Sequence, residues 1–122
     1  MRKLILPLAL LISACSTSSF DKAPPRAADL AAGDVIAVGQ LENLGYESAT
    51  QPGDLLGSGV MTARFHVARV EIGELPNSSV DVTYFGHTYF REDATFRFHL
   101  RPRPEGGYLI CRSPNSAGFV CD

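Results

Sequence analysis

The chain lacks the common signatures of catalysis. It has no Gly-x-Ser-x-Gly, no His-Glu-x-x-His and no glycine-rich phosphate loop ahead of a helix. Its histidines number three, His66, His87 and His99, and no two are spaced as a metal motif. No long run of one charge occurs, and 13 acidic residues exceed 11 basic ones, which argues against nucleic acid as partner. Apolar runs are short as well. The longest, Leu4 to Ile12, is broken by Pro7 and is far below the ~20 residues that a membrane-spanning helix needs. No stretch carries a convincing long helical periodicity. The expectation is a non-enzymatic chain without cofactor or metal.

What is present is most informative at the start. Met1-Arg2-Lys3 is a short basic region, followed by the apolar run and then Leu11-Ile12-Ser13-Ala14-Cys15. This order resembles a bacterial lipoprotein signal with its lipobox. The resemblance implies cleavage after Ala14, a thioether-linked diacylglycerol on Cys15 and a further acyl chain on the new amine. Two or more chains anchor stably, because each buried methylene contributes about 0.8 kcal/mol. Ser16 stands where an inner-membrane retention signal would place Asp, so the expected location is the periplasmic face of the outer membrane. The ordinary alternative is a secretory signal in which Cys15 is incidental.

Cleavage after Ala14 would take 14 of the 122 residues and leave 108, enough for one domain with a modest core. Arg2 and Lys3 would leave with the signal, so 9 basic residues would face 13 acidic ones, a formal charge of −4. With Cys15 consumed by lipid, Cys111 and Cys121 remain as a pair. In an oxidising envelope they are expected to form a disulfide. The spacing is not Cys-x-x-Cys, which disfavours thiol-redox or zinc chemistry.

The chain divides into a signal (1–14), a lipidated cysteine and tether (15–32) and an all-β domain (33–122). The tether, rich in Ser, Ala and Pro, has little to bury. Asp34 to Leu41 reads as a first strand with a bend at Gly39. Glu42 to Ser58, with Gly45, Pro52, Gly53 and Gly57, reads as a long irregular connection. Val60 to Ile72 is the strongest strand: Met61, Ala63, Phe65 and Val67 share one face, Thr62, Arg64 and His66 the other. Val70 and Ile72 have the opposite parity, so a bulge near Ala68-Arg69 would return them to the same core. Pro76 and Asn77 mark a turn before a third strand of Val80, Val82 and Tyr84. Phe96, Phe98 and Leu100 alternate in a fourth, and Glu105-Gly106-Gly107 turns the chain into Tyr108 to Cys111. Long bulged strands let one sheet close into a small five-stranded barrel; a small β-sandwich is the alternative.

Phe65-x-Val67-x-x-Val70-x-x-Gly73, followed by Val80-x-Val82 and a late hairpin, resembles the OB-fold of the netrin and tissue-inhibitor type. The resemblance spans roughly residues 34 to 112 and implies a five-stranded barrel. The family's cysteines that brace the N-terminus are missing here, and the cysteine pair lies at the C-terminal end. Tissue inhibitors chelate a protease zinc with a free N-terminal cysteine amine. Acylation of Cys15 would remove that ligand, so their mechanism does not carry over.

Two candidate features remain. Arg64 and His66 on one strand, with Arg97, His99 and Arg101 on another, all face away from the apolar side. They form a candidate anion-binding stripe for lipid phosphates or glycan carboxylates, or else a solvated strand face. Tyr89 and Phe90 are a binding rim or a barrel plug. Ser113 and Ser116, with no base nearby in sequence, read as turn residues. The expected function is a membrane-anchored binding or structural module whose partner is an anionic envelope component or an envelope protein. The alternative is a periplasmic inhibitor of a lysozyme or protease.

Overall fold

The computed structural model describes residues 30–112 and 117–121. The expected signal (1–14), Cys15, the expected tether up to residue 29 and the Ser113 and Ser116 positions lie outside them. Five strands make up the domain: β1 (Val35–Ser48), β2 (Gly59–Ile72), β3 (Ser79–Gly86), β4 (Phe96–Pro102) and β5 (Tyr108–Cys111). They close into a barrel in the order β1-β2-β3-β5-β4, with β4 returning to β1. This is the small OB-like barrel that the strand pattern implies. Every ladder is antiparallel except β3 with β5.

The core follows from period-two alternation. Val35, Ala37 and Leu41 meet Met61, Ala63 and Phe65, with Val80, Val82 and Tyr84, Phe96, Phe98 and Leu100, and Ile110 completing the interior. Phe90, from the β3–β4 loop, stacks on Tyr84, Phe96 and Phe98 at centroid distances of 4.6, 5.3 and 5.5 Å. It is the plug, and its neighbour Tyr89 is exposed. Cys111 and Cys121 are bonded, which pins the tail beside β5.

Closure depends on bulges in the long β1–β2 ladder. Val38 pairs with Arg69 and Gly39 with Val67, which leaves Ala68 as an extra residue. Glu71 is extra in the same way between Val70 and Ile72, and Leu44 is extra on β1. At Gly39 the strands approach so closely that a Cβ would stand 2.1 Å from the His66 carbonyl oxygen. Only glycine fits there.

Two sequence expectations are corrected. β1 does not stop near Leu41 but runs to Ser48, so the connection is only 49–58. The bulge at Ala68 is present, yet Val70 and Ile72 are 39% and 41% exposed and are not in the core. β3 pairs β2 only as far as His66, so the remainder of β2 has a neighbour on the β1 side alone.

The antiparallel ladders also give the barrel two distinct ends. β1, β3 and β5 finish where β2 and β4 begin, and that end carries the loops 49–58 and 87–95 and the disulfide-bound tail. The opposite end carries the entry of the chain at residues 30–34 and the short turns 73–78 and 103–107. The first can be called the loop end and the second the entry end.

Candidate functional site

The five basic side chains singled out by parity all project from the outer face, but they do not form one positive surface. In the barrel β1 separates β2, with Arg64 and His66, from β4, with Arg97, His99 and Arg101. Each has an acidic partner. Arg64 lies 3.3 Å from Asp81, and His66 is 2.9 Å from both Glu42 and the Ser79 hydroxyl. Arg97 donates to both carboxylate oxygens of Glu71 at 3.0 and 3.1 Å. His99 and Arg101 converge on Asp34.

Asp34 has no sequence signature, yet it is the most constrained charge among the described residues. Its side chain is fully buried at the entry end, where it accepts from His99 Nε2 at 2.6 Å and from Arg101 at 3.0 and 2.9 Å. The Ala31 N–H adds a bond of 2.9 Å. Burial alone would raise the carboxyl pKa. The Arg101, His99 and Ala31 hydrogen bonds and the His99 charge outweigh it and hold Asp34 well below the usual carboxylate range. Gly73, at φ 81°, passes so close that a Cβ would meet the Asp34 carbonyl oxygen at 2.7 Å. The cluster ties the incoming chain to β4 and is satisfied on every side. Its geometry fits a structural clamp.

A second polar group joins the two large loops at the other end. Ser58 donates its hydroxyl proton to Asp54, and His87 Nδ1 contacts the Gly57 carbonyl oxygen, with Ser58 Oγ at 3.3 Å and Asp54 Oδ1 at 3.9 Å. Ser, His and Asp together suggest nucleophilic catalysis, but the connections are wrong for it. A serine nucleophile must pass its proton to the imidazole, with the carboxylate on the other ring nitrogen. Here the carboxylate takes the serine proton directly, and the imidazole nitrogen that faces serine donates to a carbonyl. The group latches loop 49–58 to the start of loop 87–95. Sequence reasoning missed it because Ser58 and His87 are 29 residues apart.

Aromatic and aliphatic side chains gather around this latch. Tyr46 packs edge-on to Tyr89 at 6.4 Å and lies flat against Gly59, where a Cβ would collide with the ring at 2.0 Å. Leu55 and Leu56, at the tip of loop 49–58, are 97% and 79% exposed. Tyr46 and Tyr89 are half-exposed and Val120 on the tail is exposed too. Among the described residues, most of the exposed large apolar side chains thus sit at the loop end. Val70 and Ile72, near the entry end, are separate.

Elsewhere a shallow groove of about 320 Å³ runs between the 73–78 turn and the 103–107 turn, lined by Arg64, Asp81, Asn77 and Tyr108 among others. The Arg64–Asp81 pair borders it. The three histidines stand on separate partners, and no cluster of three or more metal-ligating side chains occurs among the described residues. The chain matches no protein-family model, no curated protein and no solved structure.

Proposed function

We propose that the protein is a lipid-anchored module of the bacterial envelope that binds a partner through the loop end of its barrel and performs no catalysis. One observation carries this reading: the two ends of the barrel are different in kind. The chain enters at one end, beside the Asp34 clamp, while the large loops and their exposed Tyr46, Leu55, Leu56 and Tyr89 lie at the other. Lipid on Cys15 would hold the entry end toward the membrane, at the periplasmic face of the outer membrane given Ser16. A tether from residue 15 to residue 29 spans at most about 50 Å when extended, which gives the loop end freedom to meet a partner beyond the bilayer surface.

An envelope protein suits this module better than an anionic glycan or lipid. Arg64, His66, Arg97, His99 and Arg101 each face a carboxylate within 3.3 Å. An anion would have to displace those partners, and exposed ion contacts yield only about 0–1 kcal/mol each. The Cys15→Ser variant tests the anchor. It should appear in the soluble envelope fraction, and retention in membranes through an alkaline wash would refute lipidation at that residue.

A second reading, inhibition of an attacking hydrolase, is favoured by loop 49–58. Its base is closed by the Ala49 N–H bond to the Ser58 carbonyl at 2.8 Å, while its leucine tip projects into solvent. A loop with a fixed base and an apolar tip can enter an enzyme cleft at low entropic cost. Stoichiometric loss of lysozyme or protease activity on titration would support it. Unchanged activity at micromolar protein would remove it.

A further inference from the structure

Resting on that reading, we propose that Tyr46, Leu55, Leu56 and Tyr89 form a docking surface for a basic protein, one whose apolar recess is edged by lysine or arginine. Single exposed leucines are ordinary. Two adjacent ones at 97% and 79% exposure, beside a Tyr46–Tyr89 pair, are a concentration of apolar surface in a small domain.

The supports under this surface are fixed. Tyr46 donates its hydroxyl to the Ser58 carbonyl at 3.3 Å, and His87 joins the Gly57 carbonyl, so the two loops brace one another. The base of loop 87–95 is tied to β1 by Asn43, whose N–H donates to Glu92 at 2.7 Å and whose amide donates to the Phe90 carbonyl at 2.9 Å. Little ordering cost is left for a partner to overcome.

Charge decides which partner. Residues 46–58 and 87–95 hold Glu47, Asp54, Glu92 and Asp93 against one guanidinium, Arg91. Arg91 is itself closed on Asp93 by bonds of 2.9 and 2.6 Å. An anionic membrane would be repelled by this border, and a second copy would bring the same acids. A protein with basic residues around an apolar recess is complementary on both counts.

The test uses the full chain carried in zwitterionic phospholipid nanodiscs. It is titrated with a labelled amphipathic Leu–Lys peptide and with its Leu–Glu counterpart, at low salt and at 0.5 M salt. A chain that fails to copurify with the discs reports against the anchor alone, and the same titration then runs on the free protein. The Leu–Lys peptide should bind, and high salt should weaken it. Leu55→Ser with Leu56→Ser should lower its affinity at least about tenfold, equivalent to about 1.4 kcal/mol. Glu47→Lys at the loop end should weaken it severalfold, whereas Glu74→Lys at the entry end should leave it unchanged. Because Leu55 and Leu56 are solvent-exposed, their replacement should leave the melting temperature as it was, which separates lost binding from lost folding. Equal binding of the Leu–Glu peptide overturns the proposal, as does indifference to the leucine pair. Preferential binding to anionic vesicles, or self-association lost in the leucine variant, overturns it in favour of a membrane or a second copy.

Discussion

Arg101 grips Asp34 with two nitrogens, Nε at 3.0 Å from Oδ1 and a terminal nitrogen at 2.9 Å from Oδ2. The residues are 67 apart in the chain, one just before β1 and one near the end of β4. The bond closes the entry end of the barrel and joins the first strand to the fourth. A buried carboxylate held this way is costly to disturb, because removing its charge leaves the Arg101 and His99 donors facing a poorer acceptor.

Asp34→Asn should therefore destabilise the domain by about 2–3 kcal/mol at neutral pH. The Asp34 carboxyl ionises at lower pH in the folded chain than in the unfolded one. Between those two values the unfolded chain binds more protons, so stability rises with pH there. The contribution is complete above about pH 5 and is lost as pH falls below the ordinary aspartate value of about 3.9. Urea denaturation of both proteins should give a stability difference that narrows as the pH falls below about 4. A difference that widens in acid would contradict the assignment.

The disulfide holds the tail on β5. Phe119 donates to the Ile110 carbonyl at 2.8 Å and Arg112 donates to Phe119 at 2.7 Å, and these bonds depend on the tail staying close. Replacing Cys111 and Cys121 by serine should cost about 2–3 kcal/mol. Peptide mapping without reduction should recover both cysteines in one linked fragment. Alkylation of either cysteine in the unreduced protein would refute the pairing.

Two glycines should respond differently to alanine. At Gly39 the obstacle is the His66 backbone carbonyl, which cannot move without opening the β1–β2 ladder. Gly39→Ala should cost at least about 3 kcal/mol. At Gly59 the obstacle is the Tyr46 ring, a side chain whose displacement costs its bond to Ser58 but leaves the ladder intact. Gly59→Ala should cost about 1 kcal/mol and change hydrogen exchange mainly in loop 49–58. Equal losses at the two positions would show that Tyr46 is held as firmly as the backbone.

Tyr84 links the core to the β3–β4 loop. Its hydroxyl donates to Asn43 Oδ1 at 2.7 Å and accepts from the Phe90 N–H at 3.0 Å, and burial pushes its phenol pKa above the ordinary value. Tyr84→Phe should cost about 1–2 kcal/mol by orphaning both partners. Phe90→Ala should cost about 2–3 kcal/mol, somewhat below the range for a fully buried ring. The double variant should cost less than the sum of the two, since both act on one loop. Full additivity, read from urea midpoints, would count against a shared role.

Strands with one face steadily buried were legible from the sequence. Met61, Ala63 and Phe65, then Val80, Val82 and Tyr84, then Phe96, Phe98 and Leu100 alternate without interruption, and each set enters the core. The second half of β1 was not legible, because the extra residue Leu44 breaks the alternation and Gly45 follows it. Val70 and Ile72 misled for another reason. Apolar character predicts burial only where a strand is flanked on both sides, and past His66 the β3 ladder no longer accompanies β2. Arg64, His66, Arg97, His99 and Arg101 were placed correctly on the outer face by parity, but parity says nothing about partners. Asp34 and the Ser58–His87 latch left no local trace, since each joins residues far apart in the chain.

The place of β1 in the barrel has a mechanical consequence. It pairs with β2 on one side and β4 on the other, and the chain enters at its first residue. A partner held at the loop end, pulling against an anchor beyond residue 30, would load β1 along its own axis. Both ladders would then resist in shear, with their hydrogen bonds strained together rather than broken one after another. The β3–β5 seam, where Val82 and Thr83 meet Tyr108 and Leu109, lies away from that line of force. Little of such a tension would reach this short parallel joint.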